Sequence, residues 1–184
     1  MGLSVVVILL ANLVVLVRVG VLVAASAPGV LPTLLPVLGA ALVLGLAATL
    51  LRWRGFGHGG ETPMPQVKNP TEIRAALAFG AAYAVVLVLA AWLNNTFGAQ
   101  GLYAVAAVSG LTDMDAITLS SARLFELGQL SARQATIAIT LALLTNLLFK
   151  LGIITVVGGG RLARACGLPM IAIGAGASVA LGIL

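Results

Sequence analysis

Two acidic side chains stand inside an otherwise apolar stretch of the sequence, and they are the residues best suited to chemistry. Asp113 and Asp115 lie in the segment SGLTDMDAITLSS, residues 109–121, together with five hydroxyl side chains. Placing one Asp at the middle of a bilayer costs about 2.5–3.5 kcal/mol, so such a residue normally faces the protein interior or a water-filled cavity. Carboxylate and hydroxyl oxygens are hard donors suited to Mg²⁺, Ca²⁺, Mn²⁺ or a proton. The segment therefore predicts an ion or proton site, with Asp113 and Asp115 as the metal ligands.

The geometry of this site depends on whether the helix that carries it is continuous. On an unbroken helix Asp113 and Asp115 would lie about 200° apart and face different neighbours. A break at Ser109–Gly110 would instead free backbone carbonyl oxygens beside the carboxylates, as in the discontinuous helices of transporters. We expect three further oxygen donors along the ion or proton pathway: Thr112, Thr118 and Asn146.

Two basic residues, Arg18 and Lys150, are embedded in other apolar stretches of the sequence. One interpretation makes them charge partners of Asp113 and Asp115 that reset the ion site. A second makes the four residues structural ion pairs without a bound ion. In a third, the basic side chains extend to the membrane surface, because each lies only about 10 Å from a helix end. The spacing alone does not choose among these alternatives.

The composition excludes a soluble enzyme. Hydrophobic residues make up 61% of the 184 residues and charged residues only 8%, where a soluble domain carries roughly 25% charged residues. The sequence contains no Gly-rich phosphate loop, HExxH pair or Ser/His/Asp set, and His58 has no second metal ligand at a suitable spacing. We therefore expect no enzymatic activity, and no cofactor other than a divalent cation. The net charge of +5 is more simply a topology signal than a nucleic-acid-binding patch.

The apolar stretches predict an all-α, polytopic transmembrane bundle that forms a single domain over residues 1–184. A helix needs about 20 mostly apolar residues to cross the hydrocarbon region. Six stretches reach about that length: Leu3–Ala25, Leu31–Leu51, Glu72–Leu93, Gln100–Ser121, Thr136–Val157 and Leu168–Leu184. The fourth of them contains both aspartates.

The positions of the basic residues predict the orientation of the bundle. The polar connection Arg52–Thr71 holds Arg52, Arg54 and Lys68, which places it and the N-terminus in the cytoplasm. Six complete crossings would also place the connection Arg123–Arg133 inside, but they would place Arg161 and Arg164 outside. That conflict disappears if the fourth apolar segment enters the membrane and returns to the same side.

A faint internal repeat accompanies this pattern. The stretch from Val5 aligns with the stretch from Ile137, so that Arg18 falls on Lys150 and Gly20 on Gly152. A basic residue two positions before a glycine, late in an apolar helix, recurs in both halves. Internal repeats of this kind are a common construction of transporters.

Several motifs closely resemble a domain-of-unknown-function family. They are NPTEI at residues 69–73, GLY at 101–103, SGLTDMDAITLS at 109–120 and NLLFK at 146–150. That family occurs C-terminal to MgtC/SapB-type domains in bacterial inner-membrane proteins, and the resemblance extends from about Val5 to Arg164. It implies a multi-pass protein of the bacterial cytoplasmic membrane, and it suggests magnesium only through the partner domain. The chain resembles the C-terminal part of the family, which predicts a fragment, a truncated gene or one half of an assembly.

Two functions follow as expectations. The first is a cation transporter, for Mg²⁺ or another divalent ion, or a proton-coupled transporter that uses the intramembrane aspartates. The alternative is an accessory or regulatory membrane subunit that does not transport and whose intramembrane charges pair with a partner. In both cases the bilayer surrounds the protein, and we expect a homo-oligomer or a complex with a second membrane protein, because six short spans enclose little volume.

Overall fold

The computed structural model describes residues 2–53 and 73–184, with the side chains at positions 2, 3, 53, 73–80, 82, 83, 86 and 157 left out of the description. The described residues form helices and no strand, which confirms the all-α prediction. The helices are α1 (Gly2–Ser26), α2 (Leu31–Trp53), α3 (Ile73–Phe97), α4 (Ala99–Thr112), α5 (Met114–Glu126) and α6 (Ala132–Ile183), with a 3-10 turn over Pro28–Val30 between α1 and α2. Most of the predicted cytoplasmic connection Arg52–Thr71 lies outside the described residues.

Helix α6 is interrupted at one glycine. Gly159 has φ 74° and ψ 168°, a backbone conformation that residues with a Cβ rarely adopt. The interruption divides α6 into a first limb, Ala132–Val156, and a second limb, Gly158–Ile183. The predicted start of the last span at Leu168 is therefore wrong by ten residues. Hydropathy alone missed the true start because Arg161 and Arg164 lie in the first turns of the second limb.

Among the described residues, four segments are long and apolar enough to cross a membrane: Ser4–Ser26, Pro28–Arg52 and the two limbs of α6. Large apolar side chains on their outer faces are exposed, as expected of surfaces in contact with lipid. The predicted count of six spans is not confirmed. Within α3, the apolar segment among the described residues is the shorter Leu87–Phe97.

The predicted fourth span, Gln100–Ser121, does not cross as one helix. It consists of α4 with 14 residues and α5 with 13 residues, each about 20 Å long and therefore shorter than the hydrocarbon thickness of about 30 Å. Asp113 separates the two helices. The break thus lies three residues beyond the predicted Ser109–Gly110, which belongs to the last turn of α4.

Hydrogen bonds between helices define the two ends of the bundle. At the end that we call the Arg52 end, Arg52 Nη2 donates to the carbonyl oxygen of Arg164 at 2.7 Å. At the opposite end, which we call the Ser131 end, the hydroxyls of Thr33 and Thr136 lie 2.8 Å apart, and Asn94 Nδ2 donates to the carbonyl oxygen of Gln129 at 3.4 Å. Helices α1 and α3 and the second limb of α6 therefore end at the Ser131 end, where α2 and the first limb begin.

Helices α4 and α5 form a re-entrant hairpin with both outer ends at the Ser131 end. Helix α4 starts directly after α3, and its last turn packs on Asn146, about 21 Å along the first limb from Ala132. Helix α5 then returns, so that a Cβ on Gly29 would lie only 2.9 Å from the Phe125 ring. The hairpin thus enters the bundle and leaves it on the same side.

The re-entrant hairpin changes which basic residues lie at the same end of the bundle as Arg52. Because α4 and α5 do not cross, Arg161 and Arg164 lie at the same end of the bundle as Arg52. Arg123 and Arg133 lie at the Ser131 end, not beside Arg52 as six crossings would require. The basic residues near Arg52 therefore all support one orientation under the positive-inside rule.

Two helix pairs of opposite orientation frame the hairpin. Helices α1 and α2 are joined at the Ser131 end, whereas the two limbs of α6 are joined at the Arg52 end. Helix α2 packs closely against the second limb of α6, where a Cβ on Gly176 would lie 2.7 Å from the carbonyl oxygen of Ala40. Small residues allow the helix backbones to approach, as is common in membrane bundles.

The hairpin predicts the labelling of single cysteines introduced after Cys166→Ala. Cysteines from Asn95→Cys and Gln129→Cys should react with an impermeant thiol reagent from the same side of the membrane, and one from Gly160→Cys from the other side. Six full crossings would instead place positions 95 and 129 on opposite sides. Labelling in cells and in inverted vesicles measures this, and opposite labelling of positions 95 and 129 would contradict the hairpin.

Candidate ion site at a helix break

The break between α4 and α5 is built by Asp113 itself. Its backbone is extended, with φ −150° and ψ 128°, and its N–H donates to the carbonyl oxygen of Ser109 at 2.9 Å, which closes α4. Its side-chain Oδ1 accepts the backbone N–H of Asp115 at 2.9 Å, which caps the first turn of α5. Asp is among the residues that favour this capping position, so one residue ends one helix and begins the next.

Asp115 lies in the first turn of α5 and forms an ion pair with Arg18 of α1. The Asp115 side chain is 7% exposed and the Arg18 side chain 59% exposed. A carboxylate in the first turn of a helix also interacts favourably with the helix dipole. In the structure, Arg18 pairs with Asp115 rather than with Asp113.

The tip of the hairpin is held by the first limb of α6. Asn146 is buried, and its Nδ2 donates to the carbonyl oxygen of Gly110 at 2.9 Å. That carbonyl belongs to the last turn of α4, where backbone acceptors lack partners within the helix. Asn146 therefore reaches the predicted site, but through the hairpin backbone rather than through a carboxylate.

Lys150 was predicted to pair with one of the aspartates, but in the structure it bonds to a different group. Its Nζ donates to Asn12 Oδ1 of α1 at 3.3 Å, one helical turn beyond Asn146 towards the Arg52 end. The two side chains share a groove of about 250 Å³ with Ile8, Ala11, Ile153 and Ile154. The charge-partner prediction for Lys150 is therefore wrong in this state of the protein, because α1 offers an amide oxygen closer to the amine.

The predicted hydroxyl donors satisfy the backbone around the break. Thr112 Oγ1 donates to the carbonyl oxygen of Ser109 at 3.2 Å, and the fully buried Thr118 Oγ1 donates to that of Met114 at 2.7 Å. Each hydroxyl oxygen keeps lone pairs with which it can accept a further bond. No group of three or more His, Cys, Asp or Glu side chains occurs among the described residues. A cation here would therefore need hydroxyl and carbonyl oxygens in addition to a carboxylate.

Two serines complete the polar surroundings of the break and were not singled out from the sequence. Ser120 and Ser121 of α5 are fully buried, and their hydroxyls have no hydrogen-bond partner within the described part of the chain. Leaving a buried hydroxyl unpaired costs about 1–3 kcal/mol. The signal in the sequence was the density of hydroxyls after Asp115, which we interpreted as support for the aspartates only.

The Arg18–Asp115 pair predicts unequal effects of removing its two members. Arg18→Gln leaves a short, buried carboxylate uncompensated and should lower the free energy of unfolding by about 3 kcal/mol. Asp115→Asn leaves Arg18 without its partner, but the Arg18 side chain is longer, largely exposed and able to reorient. The free energy of unfolding should therefore fall by only about 1 kcal/mol. The double variant should recover most of the loss. Thermal unfolding in detergent measures this, with the exposed Glu126→Gln as control, and equal losses in the two single variants would contradict the assignment.

The seating of the hairpin predicts a second effect on stability. A Cβ on Gly110 would lie 2.5 Å from the carbonyl oxygen of Ala142 and would also meet the Thr145 hydroxyl. Gly110→Ala should therefore destabilise the protein by about 1–3 kcal/mol. Gly152→Ala on α6 is the matched control, because a Cβ there meets nothing within 4 Å. Unfolding measurements in which both variants behave alike would show that α4 does not pack on α6 at Gly110.

Comparison with known proteins places the chain in a family. The family model described as Domain of unknown function (DUF4010) matches residues 1–158, which include the break and its partners. A curated relative from Aquifex aeolicus (strain VF5), whose printed name is "Uncharacterized protein", is 35% identical over 115 residues, covering 62% of this chain and 50% of the relative. The chain thus spans about half the length of that relative. No solved structure matches the chain. The chain belongs to the DUF4010 family.

Proposed function

We propose that the chain is the membrane-embedded part of a transporter for a cation or a proton, with Asp113 as the group that binds the transported ion. The observation that carries the proposal is the position of Asp113, at the tip of a hairpin that ends inside the bundle. Discontinuous helices that meet within the membrane are the usual way in which transporters present ion ligands. We propose no enzymatic activity for the chain.

The two aspartates have separate parts in this proposal. Asp115 is neutralised by Arg18, and the pair fixes α5 against α1. Asp113 is half-buried, uses Oδ1 to cap α5, and has no ion-pair partner among the described residues. A cation and a proton would compete for its remaining oxygen, so that binding of one releases the other. Thr112 and Thr118 are the secondary oxygen donors.

The surrounding helices support movement around this point. The α1–α2 pair and the two limbs of α6 have opposite orientations, an arrangement found in transporters in which one part of the fold moves against the other. Lys150 lies about one turn from the hairpin tip, on the side of the Arg52 end. The hairpin is therefore bordered by a charged group on that side.

A second function has its own support. The Arg18 side chain is 59% exposed although it lies inside a helix long enough to cross a membrane. A second membrane protein or another copy of this chain could cover it. In that case the chain is an accessory or regulatory subunit, and the intramembrane charges serve assembly rather than transport.

The proposal extends to location and partners. The orientation of the basic residues, together with the resemblance to bacterial inner-membrane proteins, supports a multi-pass protein of that membrane with the Arg52 end in the cytoplasm. The MgtC/SapB-type neighbour expected from the resemblance is part of the proposal and favours a divalent cation such as Mg²⁺. A homo-oligomer or a second membrane protein is the proposed partner, since it would cover the exposed Arg18 side chain within its membrane-spanning helix.

Flux into proteoliposomes tests the transport function. The purified protein should carry one of Mg²⁺, Ca²⁺, Mn²⁺, Na⁺ or H⁺, and Asp113→Asn should lower that flux about tenfold or more, equivalent to about 1.4 kcal/mol of binding free energy. Asn keeps the shape of the side chain and its capping oxygen but removes the charge. Glu126→Gln, at the exposed end of α5, is the matched control and should retain the flux of the unmodified protein.

Two results would contradict the transport function. If Asp113→Asn folds and keeps full flux, the free carboxylate does not bind the ion. If the purified chain carries none of the five ions but does so after a partner is added, the accessory function is favoured instead.

A further inference from the structure

Helix α5 is the polar element of the bundle and buries its hydroxyls completely. Thr118, Ser120 and Ser121 are all 0% exposed, and the hydroxyls of the two serines have no hydrogen-bond partner in the described ranges. Native proteins pair nearly all buried polar atoms with protein or water. Ser120 and Ser121 are therefore the polar groups of α5 that a water molecule or a change of conformation would satisfy.

These hydroxyls lead from the ion pair towards the Ser131 end. Asp115, Thr118 and Ser121 recur every three residues, which places them along one inclined stripe of α5. The first limb of α6 packs against α5 and carries two buried threonines at similar distances from the Ser131 end, Thr136 and Thr140, although the Thr136 hydroxyl bonds to Thr33 of α2. Polar side chains thus recur along α5 between Asp115 and the Ser131 end.

Both outer ends of the hairpin have glycines with positive φ. Gly98, directly before α4, has φ 62°, and Gly128, directly after α5, has φ 71°. A Cβ at either position would meet nothing within 4 Å, so these glycines are used for backbone conformation rather than for close packing. The hairpin is therefore connected to α3 and to α6 through one glycine with positive φ at each end.

We propose that the α4–α5 hairpin is a gate that bends at Gly98 and Gly128 and opens a water-filled path from the Ser131 end to the Arg18–Asp115 pair. Water satisfies Ser120 and Ser121 in the open state, and the same hydroxyls are left unpaired in the closed state described above. The unpaired hydroxyls raise the free energy of the closed state and bring the two states closer in population. This inference rests on the proposed transport function, which gives the gate its role: the gate lies on the side of the membrane from which the ion would reach the site.

The residues between the hairpin tip and the Arg52 end differ in polarity from those on the side of the Ser131 end. Towards the Arg52 end, the next polar groups are Lys150 and Asn12, which bond to each other in a groove otherwise lined by apolar side chains. Among the described residues, the unpaired hydroxyls of α5 lie on the side of the Ser131 end. The gate accordingly controls access from that side alone.

Thiol labelling tests the gate without requiring transport. After Cys166→Ala, the reconstituted protein carrying Ser121→Cys is treated with a small, charged methanethiosulfonate reagent from each side of the membrane. The thiol should react from the Ser131 side about tenfold or more faster than the thiol from Ala177→Cys, as expected if it is exposed in an open minor state. Ala177 is equally buried, lies at a similar distance from the Ser131 end, and belongs to the second limb of α6 outside the hairpin.

A second variant tests the role of the unpaired hydroxyls. Adding Ser120→Ala to Ser121→Cys removes one orphan hydroxyl from the closed state, so the open population and the labelling rate should fall about fivefold or more. Serines that stay dry in every state would leave the labelling rate unchanged.

Three results would overturn the gate. They are labelling of position 121 no faster than position 177, faster labelling only from the Arg52 side, and a rate insensitive to Ser120→Ala. If the Ser121→Cys variant fails to fold, the two positions are exchanged: Ser120→Cys carries the labelled thiol and Ser121→Ala is the added change. The expected changes in labelling rate are the same. Fast labelling in a protein that carries no ion would leave the gate standing and remove the transport function, so the two proposals fail separately.

Discussion

A carboxylate inside a membrane bundle must share its charge with another group, and Arg18 takes that role for Asp115. This interaction joins residues 97 positions apart in the sequence and fixes the start of α5 against α1. Because α5 starts at that depth, it reaches the Ser131 end after 13 residues, and α4 must descend from the same end to meet it. Because α5 ends at the Ser131 end, the first limb of α6 starts there and the second limb runs back towards it.

The second constraint is that backbone groups need partners wherever a helix ends away from water. The break at Asp113 meets it with three contacts. The Asp113 side chain receives the N–H of Asp115, the Asp113 N–H bonds to Ser109, and Asn146 bonds to Gly110. Polar groups in this region thus serve first to satisfy the backbone at the break, and the Oδ1 atom of Asp113 is one of them.

The sequence predicted the helical class, because that depends on composition. The cost of burying charge drew attention to Asp113, Asp115 and Arg18, and the structure pairs two of them, Arg18 and Asp115. The sequence also contained the re-entrant alternative, since Arg161 and Arg164 conflict with six crossings. The position of the break was three residues off because we looked for glycine, whereas the deciding signal was an Asp at a helix N-cap followed by an acidic first turn. The partner of Lys150 could not be predicted, because it depends on how closely α1 and α6 approach. The start of the second limb was missed because one glycine with positive φ replaces the expected polar loop.

The short hairpin has a consequence for how the protein enters the membrane during synthesis. Helices of 14 and 13 residues, the second with buried hydroxyls, cannot leave the insertion machinery for lipid by themselves. Arg18 has already been synthesised when α5 emerges, but Asn146 has not. The hairpin must therefore wait near the membrane surface until the first limb of α6 has been inserted and provides its seat. Membrane insertion thus proceeds out of sequence order, with residues 99–126 taking their place after residues that are translated later.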